Sequence, residues 1–176
     1  MKAITITILT IGHFEKGFLE KISEVVMHEF NITVSIRDVH MDISEFYDPV
    51  RRQYNGDKLL KEVAALNGAG DSKTIGLFNV DLFIPILTYI FGQAQLNGKT
   101  AIASHFRLSN ERYGMPADDH LLIQRFTKEV IHELGHTFGL IHCHTPTCVM
   151  RSSTYVEDID QKEVQLCSKC RILLGI

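Results

Sequence analysis

The chain has 176 residues, 45% of them hydrophobic, which is enough for one well-cored domain and too few for two independent domains of ordinary size. Its formal net charge of -3 at pH 7 gives no basic field for a phosphate backbone or an anionic membrane, which argues against nucleic-acid and membrane partners. The opening Met1 to Ile11 alternates Ile and Thr like a strand and is too short to span a membrane, so we expect a cytoplasmic protein. Nothing in the sequence indicates an oligomeric state.

Hydrophobic periodicity predicts strands and helices that alternate along the first part of the chain. Alternating apolar residues predict strands at 3–9, 32–36, 74–80, 87–94 and 100–106. Helical spacing predicts helices at 15–30 and 57–66, the second ending near Asn67 and Gly68. Asn97 and Gly98 offer a tight turn between the last two strands. The sequence therefore predicts an α/β fold around a twisted mixed sheet of about five strands.

A longer helix is predicted from Asp118, a suitable N-cap, to its end at Gly139. Apolar residues cover much of its circumference, which indicates a central position in the fold. After it the chain continues as short polar segments and a final RILLGI tail.

The sequence HELGHTFGLIH at 132–142 carries the strongest chemical signal. His132 and His136 are four residues apart, so on a helix they face the same way and can bind one ion. Gly139 can adopt the left-handed conformation that ends a helix, which returns His142 toward the metal. Three nitrogen ligands leave one zinc position open for water, which is typical of a catalytic site.

Glu133 is not needed as a ligand, and its place beside His132 suits a carboxylate held over the open position. We therefore predict that Glu133 is the general base. Its presence argues against a site that only binds, because binding needs no base.

All four cysteines, Cys143, Cys148, Cys167 and Cys170, lie in the last 34 residues. In a reducing compartment, clustered cysteines at short spacings are more often metal ligands than disulfides. Disulfides and free thiols remain the alternatives.

The motif HExxHxxGxxH, followed by Cys143, Cys148, Met150 and the pair Cys167 and Cys170, resembles the archaemetzincin branch of the metzincin metalloproteases. The resemblance is carried by residues 132–170. It implies that the three histidines bind catalytic zinc, that Glu133 is the acid and base, and that Met150 forms the turn beneath the metal. It further implies a structural zinc on the four cysteines, hence two Zn²⁺ per chain.

The predicted architecture is one metalloprotease domain over 1–176, with an N-terminal lobe at 1–139 and a zinc-stapled C-terminal lobe at 140–176. The predicted reaction is hydrolysis of peptide bonds in a peptide or protein substrate. Two alternatives are a zinc-stabilised peptide-binding protein with little turnover, and an enzyme that hydrolyses a small amide. Substrate preference cannot be read from the sequence.

Weaker candidates surround this motif. By resemblance, the segment from Tyr89 to Leu96 is an edge strand that pairs with substrate, although an ordinary edge strand fits equally well. Ser152 stands where some metzincins place an oxyanion-stabilising tyrosine, and the nearest tyrosine is Tyr155. His144 lies among the predicted ligands but reads better as a solvated loop residue. Four residues could line a cleft but are better explained as part of a solvated loop: Tyr47, Arg51, Arg52 and Tyr54. The other histidines lack the spacing of metal ligands and are expected at the surface or in the core: His13, His28, His40, His105 and His120.

Overall fold

A computed structural model describes residues 4–67 and 70–176. The strands are β1 (Ile6–Thr10), β2 (Val34–Asp38), β3 (Tyr47–Asp48), β4 (Gln53–Asn55), β5 (Lys73–Phe78), β6 (Leu82–Ile84), β7 (Leu87–Ile90), β8 (Gly92–Ala94) and β9 (Thr100–Ser104). The helices are α1 (Lys16–Phe30), α2 (Gly56–Ala65), α3 (Asp119–Thr137), α4 (Val156–Asp160) and α5 (Ser168–Leu174).

The main sheet has five strands in the order β2-β1-β5-β9-β8. The first four are parallel, and β8 pairs antiparallel with β9 at one edge. This mixed sheet with helices confirms the predicted α/β class. Because β8 is an edge strand, one side of its backbone has no strand partner within the described part of the chain.

The two faces of the main sheet are covered by different helices, because successive strand residues point to opposite sides. On one face, Ile6, Ile75 and Ala101 belong to the same buried cluster as residues of α1 and α3. On the other face, Leu9 and Ile102 join a cluster with residues of α2. The metal-binding motif is therefore carried by a helix that packs directly on the sheet.

A second sheet has the order β3-β4-β6-β7, and three of its strands, β3, β4 and β6, lie outside the predicted strands. Its strands have two to four residues, too short to produce a periodic pattern. The predicted strand at 87–94 is in fact two strands, β7 in this sheet and β8 in the main sheet. The first predicted strand begins at residue 3, and the second predicted helix ends near Gly68. Both of these residues lie outside the described part of the chain.

Buried charged side chains attach the segment after Gly139 to the rest of the protein. Glu29 of α1 accepts from the backbone N–H of Leu166 and from Arg171, each at 2.8 Å. Arg125 of α3 makes two hydrogen bonds of 2.7 Å to Asp160. The short helices α4 and α5 were not predicted. The division into two lobes stays a prediction.

No helix in residues 4–67 and 70–176 combines the length and apolar character needed to cross a membrane.

Candidate metal centre and cleft

Both ends of α3 are fixed by local hydrogen bonds. The Asp118 side chain accepts from the backbone N–H of Leu121 at 2.9 Å, which confirms the predicted N-cap. At the other end Gly139 has φ 93°, the left-handed conformation that the sequence predicted. Lys73 donates to the carbonyl of Thr137 at 2.9 Å, and the N–H of Asn97 donates to that of His136 at 2.8 Å. The sheet therefore holds the helix end that carries the histidines.

His132, His136 and His142 come together at this end, with one ring nitrogen of each within 4.8 Å of the others. The Nε2 atoms of His132 and His136 are 3.1 Å apart. Tetrahedral zinc with bonds of 2.0–2.1 Å separates its nitrogen ligands by about 3.3 Å. The spacing of the imidazoles thus fits a shared zinc ion.

The tautomers of two of these histidines are set by backbone carbonyls. Nδ1 of His132 lies 2.8 Å from the carbonyl oxygen of Val149, and Nδ1 of His136 lies 2.7 Å from that of Leu140. Because a carbonyl oxygen only accepts, each Nδ1 carries the proton and each Nε2 keeps its lone pair. Two lone pairs that face one another at short range need a cation between them, which is the arrangement a metal requires.

The pKa values of all three histidines are lowered, which favours the neutral imidazoles. Burial lowers the pKa of His132 well below its usual value, and the buried ammonium of Lys162 lowers it further. Burial is also the main cause that lowers the pKa of His136 and of His142. Neutral imidazoles are the form that binds metal.

Glu133 lies beside the histidines in a cavity of about 540 Å³ that they all line. Its side chain is nearly inaccessible, since only 6% of the residue is exposed. Burial raises the pKa of Glu133 well above its usual value, and the neighbouring carboxylate of Glu129 raises it further. The cavity therefore holds a proton acceptor close to the candidate metal ligands.

Two glycines that were not predicted from the sequence make room for the side chains around the histidines. A Cβ atom on Gly92 would lie 2.6 Å from Cγ of Glu133 and 2.7 Å from the carbonyl oxygen of Ile102. A Cβ atom on Gly135 would collide with Sδ of Met150. Gly92 thus admits the Glu133 side chain against the edge strand, and Gly135 admits the methionine under the helix. A glycine within HELGH and one inside a strand are the only sequence signals for these contacts.

Met150 is fully buried and belongs to the main core cluster. Its neighbour Val149 provides the carbonyl that orients His132. The chain segment around Met150 therefore lies under the histidines and against α3. That Met150 forms the turn beneath a metal stays a prediction.

Cys143, Cys148, Cys167 and Cys170 form a second cluster, with their sulfur atoms within 4.8 Å of one another. The Sγ atoms of Cys143 and Cys167 are 3.8 Å apart, as are those of Cys148 and Cys170. A disulfide needs about 2.05 Å, whereas four thiolates around zinc at 2.3 Å are separated by about 3.8 Å. The spacing fits a tetrahedral zinc site and not a pair of disulfides.

Hydrogen bonds to the sulfur atoms favour the charged form at one of these positions. Burial acts to raise the pKa of Cys167, but hydrogen bonds from the Cys170 backbone and from neighbouring side chains lower it to about 6. The N–H of Cys167 in turn donates to Sγ of Cys148 at 3.4 Å. Thiolates are the form of cysteine that binds metal.

The cleft around the histidines has two walls. One is formed by residues 87–94 of β7 and β8, and the other by residues 152–155 after Met150. The hydroxyl of Tyr89 donates to the carbonyl of Thr154 at 2.7 Å, so the walls are joined at one point. Ser152 and Tyr155 both line the cleft, and Tyr155 is 62% exposed.

The remaining candidates lie away from the cavity. His13, His28, His40, His120 and His144 are exposed. His105 packs edge-on against Phe126, and burial lowers its pKa. Tyr47, Arg51, Arg52 and Tyr54 do not line the cavity, although Arg51 donates to the Leu87 carbonyl at 3.1 Å and so supports one wall from behind.

Comparison with known proteins shows the family to which the chain belongs. The model of Peptidase family M54 matches residues 1–175. The archaemetzincin of Thermococcus kodakarensis is 37% identical over 172 residues, which cover 94% of this chain and 92% of that protein. The archaemetzincin of Haloquadratum walsbyi is 33% identical, with 96% and 98% covered.

Solved structures give the same result for the fold. The zinc-dependent peptidase of Methanocorpusculum labreanum superposes with a TM-score of 0.87 at 32% identity, over 96% of this chain and 99% of that one. The archaemetzincin of Methanopyrus kandleri superposes with a TM-score of 0.85 at 31% identity, over 99% and 95%. The chain therefore belongs to Peptidase family M54, the archaemetzincins, and is a zinc metallopeptidase.

Proposed function

We propose that the chain hydrolyses peptide bonds at a zinc ion held by His132, His136 and His142, with Glu133 as the general base. The observation that carries this proposal is the convergence of three neutral imidazoles beside one buried carboxylate in a single cavity. When bound, zinc acts as a Lewis acid that polarises the substrate carbonyl and lowers the pKa of water.

Glu133 takes the proton from the attacking water and later gives it to the departing amine. Its raised pKa strengthens it as a base. The positive charge of the zinc ion, when bound, would favour the ionised form of this carboxylate. The carbonyls of Val149 and Leu140 hold two of the imidazoles in a fixed orientation while this happens. The protein thus supplies a positioned base and a rigid set of ligands.

The substrate binds in extended form along β8. This strand lies at the edge of the main sheet and lines the cavity, so its backbone groups are available to pair with a peptide. Residues 152–155 form the opposite wall. The substrate backbone would then pass directly over Glu133.

Two further roles complete the proposal. Met150 supports the histidines from below as a polarizable, unbranched side chain packed against Gly135. Cys143, Cys148, Cys167 and Cys170 hold a second, structural zinc, so that each chain carries two ions. This second zinc would hold α5 and the segment around Met150 together.

Metal removal tests the reaction directly. Protein loaded with zinc is expected to cleave members of a diverse peptide library, detected by mass spectrometry. Chelation that empties the histidine site is expected to abolish cleavage, and added zinc is expected to restore it. Cleavage that persists in protein shown by elemental analysis to be metal-free would contradict the proposal.

Gly92 provides a second test, because a methyl group there would press on Glu133. Gly92→Ala is expected to lower kcat/KM by about 10²-fold through misplacement of the base, with the zinc content unchanged. Overpacking would also lower the free energy of unfolding by about 1–3 kcal/mol. Both quantities are measurable on one preparation, by peptide cleavage and by denaturant unfolding.

Gly17→Ala is the matched control, since nothing lies within 4 Å of a Cβ atom at Gly17 on α1. Removing a helical glycine there is expected to leave cleavage unchanged and to stabilise the protein by about 0.5–1 kcal/mol. Equal activity in the two variants would show that Gly92 does not position Glu133.

A further inference from the structure

A second carboxylate, that of Glu129, lies on the wall of the same cavity. Glu129 precedes Glu133 by four residues on α3, so the two side chains share one face of the helix. The residue is only 3% exposed. The three histidines and Glu133 do not need it for their geometry, and in the proposed reaction it neither binds metal nor transfers a proton.

The charge of Glu129 is only partly compensated. Nζ of Lys162 lies 3.4 Å from its Oε1, longer than the 2.7–2.9 Å of a strong charge-assisted hydrogen bond. The same ammonium donates to the carbonyl of Arg151 at 3.0 Å. Lys162 thus divides its donors between two acceptors, and the carboxylate of Glu129 keeps capacity for another donor.

The ion pair is oriented with its negative end toward the cleft. Glu129 lines the cavity, whereas the Lys162 side chain is completely buried behind it and is not part of the lining. The lining residues include no lysine or arginine. A substrate side chain that enters therefore meets a carboxylate and no cation of the protein.

A polar side chain nearby also has no partner. Oγ of Ser153 is buried and makes no hydrogen bond among the described residues, and Ser153 lines the same cavity. A buried polar atom is stabilised when a ligand satisfies it. A serine hydroxyl can donate or accept, so Ser153 offers a further hydrogen bond to a polar substrate group in this cavity.

We propose that Glu129 is a specificity-determining residue that selects a substrate bearing a basic side chain, lysine or arginine, for the cavity beside the scissile bond. This rests on the proposed function, because it assigns a preference to the same cleft. Lys162 is shared with the Arg151 carbonyl, which leaves the Glu129 carboxylate able to accept from the substrate. An acidic side chain is repelled by the Glu129 carboxylate, and an aliphatic one leaves Glu129 without a second hydrogen-bond partner.

Binding to an inactive variant tests the preference without turnover. The zinc-loaded Glu133→Gln protein is titrated with fluorescent peptides in which lysine, norleucine or glutamate is scanned through an otherwise constant sequence. At one position, lysine is expected to bind about tenfold more tightly than norleucine, and glutamate more weakly than both. If the norleucine peptide binds as tightly as the lysine peptide, or more tightly, at every position, the inference is overturned.

The role of Glu129 is isolated by further variants in the same background. Glu129→Gln removes the negative charge but leaves the buried ammonium of Lys162 without an ionic partner, which could destabilise the protein. The double variant Glu129→Gln, Lys162→Met removes both charges and is used if the single variant does not fold. In either, the lysine preference is expected to fall below about twofold. Glu157→Gln is the matched control, because Glu157 is exposed and does not line the cavity. It should keep the full preference, and a preference that survives loss of Glu129 would also overturn the inference.

This design separates two failures. Cleavage of library peptides by the unchanged protein, with no preference in the binding series, refutes the role of Glu129 and leaves the peptidase intact. A lysine preference in binding with no cleavage of any peptide supports Glu129 and counts against the proposed reaction.

Discussion

Replacement of Glu133 by glutamine is expected to lower kcat/KM for peptide cleavage by about 10²–10⁴-fold, because the attacking water loses its proton acceptor. Glutamine has nearly the same shape, so it fits the space that Gly92 provides and leaves the neighbouring histidines in place. The zinc content is therefore expected to stay the same. The free energy of unfolding is expected to stay the same or to rise, since a buried carboxylate is removed.

The measurement compares the two proteins at equal zinc content on a peptide that the unchanged protein cleaves. Glu157→Gln makes the same chemical change at an exposed position and is expected to leave kcat/KM unaltered. Undiminished cleavage by Glu133→Gln would remove Glu133 as the base. Zinc-loaded protein that binds peptides and cleaves none would instead favour a peptide-binding protein, and cleavage confined to small amides would change the substrate class.

Replacement of both Cys167 and Cys170 by serine is expected to reduce the zinc content from two ions per chain to one. If the ion is present at about a thousand times its dissociation constant, its loss removes about 4 kcal/mol of stability. For a chain of this size that corresponds to a decrease in Tm of about 8–16 °C. The two thiols lie at α5, so the C-terminal segment is expected to loosen first.

Elemental analysis and thermal unfolding of the same sample check both parts. His144→Ala is the control, because His144 is exposed and belongs to neither ligand cluster, so two ions and an unchanged Tm are expected. One zinc ion per chain in the unchanged protein, unaffected by the serine replacements, would show that the cysteines bind no zinc.

Sequence periodicity was sufficient wherever an element is long and rests on the core. The predicted limits of α1 and α3 agree with the structure within a few residues, since apolar residues recur at helical spacing and Asp118 and Gly139 mark the ends of α3. The grouping of the three histidines was also predictable, because the spacing of the HExxHxxGxxH motif fixes their local geometry. The four cysteines also come together as the resemblance implied, and zinc binding at both groups stays a prediction.

Contacts between distant segments could not be predicted. β6 has three residues, and α4 and α5 have five and seven, so none repeats its period often enough to stand out from its surroundings. The contact of Gly92 with Glu133, and the burial of Lys162 behind Glu129, depend on how β8 and the segment before α5 dock onto α3. Lysine is almost never fully buried, so nothing in the sequence marks Lys162 as a core residue.

The main sheet is complete at Ser104, before the ribosome has made any of the candidate ligands, which all lie between His132 and Cys170. Synthesis runs from the N-terminus, so every strand of this sheet is made before α3, the helix that carries His132 and His136. The core on one face of the sheet includes residues of α3, and it cannot be completed until this helix has been made. The helix that closes the core is therefore the same helix that brings the first candidate ligands, and both belong to one folding step of a single domain.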